Sequence, residues 1–156
     1  MYEIHTKEIV QDKLNSAIER LMYLDSYLLK MDTSERSITH KLAIYIQEEF
    51  KNWDVDCEYN RVPHETTLKK TIRRAYKKRL DDDMKKLVYP DIIVHHRGTD
   101  DNLLVIEFKK STSTTDDDFD YVKLKAYREQ LNYKYAVFVK LYTEKKLIGL
   151  KECQFI

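Results

Sequence analysis

Two carboxylates and a lysine stand where they could do chemistry together: Asp91, Glu107 and Lys109. Two short β-branched runs, Ile92–Val94 and Leu103–Ile106, flank a turn cluster from Arg97 to Asn102, the sequence form of a β-hairpin. Residues two apart in a strand share a face, so Glu107 and Lys109 project together. Antiparallel pairing lays the start of the first strand beside the end of the second and brings Asp91 close to Glu107. Adjacent carboxylates repel and raise each other's pKa unless a cation lies between them. Hard oxygen ligands with open positions suit Mg²⁺ or Mn²⁺, ions that keep several waters and bind phosphates. The chemistry that fits is metal-assisted hydrolysis of a phosphodiester, with a lysine to orient the nucleophile or neutralise the transition state.

Pro90-Asp91 followed by Glu107-Phe108-Lys109 resembles the PD-(D/E)xK nuclease superfamily, the restriction-endonuclease-like group. The resemblance covers about residues 34–141. It implies an α/β (α+β) core of order α-β-β-β-α-β, a central mixed sheet flanked by helices, a divalent metal and cleavage of nucleic acid, DNA in the first instance. It also implies roles. Asp91 and Glu107 would bind the metal directly with the backbone carbonyl of Phe108, Glu35 would bind it through water, and Lys109 would position the attacking hydroxide. Lys123 would be the polar residue that the second core helix adds.

The elements that must position these groups can be read along the chain. A first amphipathic helix is expected over about residues 7–29, with Ile9, Leu14, Ile18, Leu21, Leu24 and Leu28 as its apolar stripe. That stripe packs on the chain's own core or, alternatively, forms a homodimer face. Asp32, Thr33 and Ser34 offer N-caps for a second helix reaching about Phe50, with Ile38, Leu42, Ile46 and Tyr45 inward. Helical phase places Glu35 on the core-facing side of the first turn, where helix-dipole stabilisation is its other reading. His40, five residues on, points away from Glu35.

A first strand is expected over residues 53–62, with Val55, Cys57 and Tyr59 on one face. Before the hairpin comes a basic stretch. On a helix, Lys69, Arg73 and Lys77 form one row and Lys70, Arg74 and Lys78 its neighbour, a candidate track for a phosphate backbone or else a solvated face. A helix over about residues 119–132 buries Leu124, Tyr127 and Leu131 and carries Lys123, whose other reading is a surface lysine. The apolar run 135–141 suits the sheet centre, and residues 145–150 an edge strand.

The chain has 156 residues, 42% of them hydrophobic and 35% charged, which suits one globular domain. A net charge of +1 makes nucleic-acid attraction a matter of local patches. Two distant cysteines suggest neither a disulfide framework nor zinc, with a reducing cytoplasm as the default compartment. No apolar run has membrane-spanning length. The sequence therefore supports a Mg²⁺- or Mn²⁺-dependent nuclease, with a non-cleaving nucleic-acid-binding or sensory module on the same fold as the alternative.

Overall fold

The computed structural model describes residues 4–59, 70 and 89–156. Helices α1 (Lys7–Leu24), α2 (Ser26–Lys30) and α3 (Glu35–Glu49) precede strands β1 (Asp54–Cys57), β2 (Ile92–His95) and β3 (Asn102–Lys110). Helix α4 (Asp117–Leu131) and strands β4 (Tyr135–Glu144) and β5 (Leu147–Phe155) follow. The protein is α+β, with a five-stranded mixed sheet in the order β1-β2-β3-β4-β5. β3 and β4 run parallel, joined across α4, and the other neighbours are antiparallel.

Strand alternation divides the core into two. Ile92, Val94, Leu104, Ile106 and Phe108 turn to the face covered by α1, α2 and α3, together with Val137, Val139 and Leu141 of β4. Ile93, Val105, Ala136 and Phe138 turn to the other face, where Leu124, Ala126, Tyr127 and Leu131 of α4 cover them. The sheet is therefore buried on both sides, which explains why its central strands read as continuous apolar runs.

Several expectations need correction. The first helix breaks at Asp25, whose φ of −119° leaves the helical region and whose carboxylate accepts a hydrogen bond from the Tyr45 hydroxyl. Its buried stripe uses Val10, Leu14, Ala17, Ile18 and Leu21, while Ile9 and Leu24 face solvent. Tyr59 leaves the face of Val55, because Glu58 takes a positive φ of 46° and resets the alternation. It then packs on the α4 side, edge-on to His95. The run 135–141 lies inside the sheet, but the middle strand is β3. The edge strand begins at Leu147 rather than Lys145 and extends to Phe155. Helix α3 follows its reading closely: Ser34 caps it, accepting from the Ser37 N–H, and Ile38, Leu42, Tyr45 and Ile46 are buried. Among the described residues no helix is long and apolar enough to cross a membrane.

Candidate active site

The hairpin register pairs Ile92 with Ile106, so one step further sets Asp91 opposite Glu107. Both acids lie on the α4 side of the sheet, since Ile93 and Val105 of the same parity do. Glu107 is 1% exposed. Asp91 Oδ2 accepts the Phe108 N–H at 2.8 Å, which fixes that carboxylate against the β3 backbone. Asp91, Glu107, Phe108 and Lys109 line one cleft of about 800 Å³, together with Glu35 of α3 and Lys123 of α4. Of the six residues expected at a metal or catalytic site, all are brought to this cleft.

Glu35 reaches it from the other side of the sheet. Its Oε1 accepts the N–H of Lys110 at 3.1 Å, tying the first turn of α3 to the end of β3. The turn before α3 is itself held by Asp32, a residue at positive φ (49°). Its carboxylate accepts from Thr112 and Thr143, each at 2.8 Å, and pairs with the Lys110 ammonium at 3.0 Å.

The lysines are not arranged as the sequence alone suggests. Lys123 is buried, not a surface group, and its ammonium lies 2.6 Å from Glu107 Oε2. Lys109 is buried too, and its ammonium pairs with Asp120 at 2.5 Å and with Asp117 at 3.4 Å. It also donates to the backbone carbonyls of Asp116 (3.0 Å) and Thr115 (3.4 Å). Asp120 is a site residue that the sequence reading missed. Its signal was present: it lies three residues before Lys123, on the same helical face, with a burial of 8% exposure that a free Asp would not tolerate.

Burial pushes the Glu107 carboxyl well above the ordinary carboxylate range, and neighbouring Asp91 adds to this against the pull of Lys123. Burial likewise raises Asp91, with Lys123 and the Phe108 N–H opposing. Burial works against the ammonium of Lys123, but Glu107, Asp91 and Asp120 outweigh it and hold its pKa above the usual lysine value. The cluster is thus short of positive charge: three carboxylates, of Asp91, Glu107 and Asp120, face two ammonium groups. Moreover, Glu107 Oε1 is buried with no hydrogen-bond partner. Buried polar atoms are nearly always satisfied, and an unsatisfied carboxylate oxygen costs several kcal/mol.

Among the described residues no three His, Cys, Asp or Glu groups form a ready metal-ligand cluster. Mg²⁺ needs no such cage, because it keeps several waters and is commonly held by one or two carboxylates plus phosphate. The orphaned Glu107 oxygen and the fixed Asp91 carboxylate fit that demand. His40 is exposed, as expected of a residue turned from Glu35. Lys70 is exposed as well, whereas Lys69, Arg73, Arg74, Lys77 and Lys78 lie outside the described residues. No family model, curated protein or solved structure matches the chain.

Proposed function

We propose that this protein is a Mg²⁺- or Mn²⁺-dependent nuclease on a restriction-endonuclease-like core, hydrolysing phosphodiester bonds in nucleic acid, with DNA as the favoured substrate. The observation that carries this reading is the buried Glu107 Oε1 without a partner, opposite Asp91 in an open cleft. The element order α3-β1-β2-β3-α4-β4 supports it, since this is the α-β-β-β-α-β order that the motif implies. Asp91, Glu107 and the Phe108 carbonyl would hold the metal, and Glu35 would reach it through water. When bound, the metal supplies Lewis acidity and a water of lowered pKa. The chain's own part is to fix these carboxylates: Phe108 N–H orients Asp91, and the β3 backbone at Lys110 orients Glu35. Positive charge opposite the scissile phosphate comes from the lysines that line the cleft.

The Glu107–Lys123 pair favours a second reading, because an internal ammonium partly replaces an external cation. On that reading the protein is a non-cleaving nucleic-acid-binding or sensory module. The deciding experiment is cleavage of single-stranded, duplex and branched DNA and of RNA, with Mg²⁺, Mn²⁺ or EDTA, using Asp91→Ala beside wild type. Metal-dependent cutting lost in the variant is expected. Cutting by Asp91→Ala at the wild-type rate would sink the nuclease assignment. No cutting together with no Mn²⁺ binding would transfer the protein to the second reading.

A further inference from the structure

β3 and α4 face each other with crossed charges. The strand offers an acid and then a lysine, Glu107 and Lys109, while the helix offers an acid and then a lysine, Asp120 and Lys123. Each strand charge meets its opposite on the helix: Lys109 with Asp120 at 2.5 Å, and Glu107 with Lys123 at 2.6 Å. The two ammonium groups are nevertheless in different states. An ammonium has three hydrogens to donate. Around Lys109 Nζ stand four oxygens, those of Asp120, Asp117 and the carbonyls of Asp116 and Thr115. Its donors are fully spoken for by the N-terminal turn of α4. Around Lys123, among the described residues, one oxygen partner is present, Glu107 Oε2, together with the face of Phe119 at 5.6 Å. Lys123 lines the cleft and has hydrogens left to give.

We infer that the two lysines divide the work that the Glu-x-Lys pattern would assign to Lys109 alone. Lys123 is the ammonium that faces the reacting phosphate. Lys109 is a positioning residue, and Asp120 is the residue that withdraws it, pinning the end of β3 to the start of α4. This inference rests on the metallonuclease reading, and it makes a distinct claim about which lysine touches substrate. It also means that Lys123 and the metal share one carboxylate. Removing the ammonium therefore frees Glu107 for the metal.

The test uses Lys123→Met, Lys123→Arg, Lys109→Arg and the double variant Lys109→Met/Asp120→Leu. The double variant removes the pair together and leaves no unpaired buried charge. Lys123→Met is expected to lose kcat on the order of 100-fold with little change in KM, the usual cost of one transition-state donor. Lys123→Arg should recover part of that loss. Both the double variant and Lys109→Arg should keep kcat within about tenfold of wild type, as expected where no transition-state contact is lost. Mn²⁺ titration, read without turnover, should show Lys123→Met binding at least as tightly as wild type and Lys109→Arg binding as wild type does.

If Lys123→Met cuts at the wild-type rate, the division of labour is wrong. It is equally wrong if folded Lys109→Arg loses as much kcat as Lys123→Met. Lys109→Arg decides the matter if the double variant fails to fold. A wild type that binds Mn²⁺ without cutting is judged by affinity alone, and weaker Mn²⁺ binding in Lys123→Met then overturns the inference. A wild type that neither binds Mn²⁺ nor cuts removes the metallonuclease reading and this inference with it.

Discussion

The two ends of the β2–β3 hairpin carry similar residue types to opposite effect. At the strand-end side, Glu107 and Lys123 are buried and one carboxylate oxygen of Glu107 has no partner. At the turn side, Asp56 accepts from Arg97 through both oxygens (2.8 and 2.6 Å) and from buried His95 at 2.8 Å. There His96 stacks on Trp53 with ring centroids 4.0 Å apart, and its two ring nitrogens face the Asn52 carbonyl and the Asp101 carboxylate. Gly98, at φ +75°, makes the turn that allows this. Arg97 holds Asp56 below the usual carboxylate range, with burial opposing and His95 helping. Burial holds Glu107 far above it. Charge at the turn is satisfied and stabilises the fold, whereas charge at the strand ends is left wanting, as is common where a ligand completes the set.

The largest effect that would break this contrast concerns cutting. Asp91→Ala and Glu107→Gln should each lower Mg²⁺-dependent cleavage on the order of 10³-fold, as for loss of preorganised charge at a reacting centre. Asp56→Asn, equally a buried-side acid, should change the rate by less than about twofold, as a residue without transition-state contact does. Gel-based cleavage at saturating substrate compares the three directly.

Thermal shift sharpens the contrast next. Mn²⁺ at a hundred times its Kd should add about 2.7 kcal/mol, or roughly 5–10 °C in Tm for a chain of this size. The rise should vanish in Glu107→Gln and persist in Asp56→Asn.

Without metal the sign should reverse. A carboxyl whose folded pKa is raised loses stability as pH rises from its ordinary value through the folded one, so ionised Glu107 weakens the protein at neutral pH. In EDTA at pH 7, Glu107→Gln should therefore melt above wild type, with the gap closing as pH falls toward the ordinary carboxylate range. A lower Tm for the variant would show that the Lys123 pair already compensates the acid fully.

The smallest effect belongs to His96. The Asn52 carbonyl and Asp101 raise its pKa against a slight burial cost. Its stabilising contribution is then complete below about pH 6.5, the ordinary histidine value, and is lost as pH rises through the folded value. The difference in denaturation midpoint between wild type and His96→Gln should shrink above that pH. At this exposed pair it should amount to under about 1 kcal/mol even where fully present.

Much of the cleft was legible because period and register are local rules. The β-branched runs and the turn between them fix which residue lies opposite Asp91, and helical phase from Ile38 and Leu42 puts Glu35 inward. Lys123 could be named from its place on α4, but its burial could not, since that depends on Glu107 arriving across a strand-to-helix contact. Asp120 and Asp117 were passed over as ordinary first-turn acids, which the helix dipole alone would justify. The break at Asp25 and the reset at Glu58 are single-residue backbone changes, with tertiary partners such as Tyr45 that no window of sequence contains.

The stacking of Trp53 on His96 has an optical consequence. The chain has a single tryptophan, so its near-ultraviolet emission reports from the turn end of the hairpin. An imidazolium in face contact accepts an electron from excited indole far more readily than neutral imidazole does. Emission should therefore brighten as His96 loses its proton, and titrating it reads that ring without any label. A fluorescence change on adding Mn²⁺ would mean that the far end of the hairpin senses what happens at the cleft.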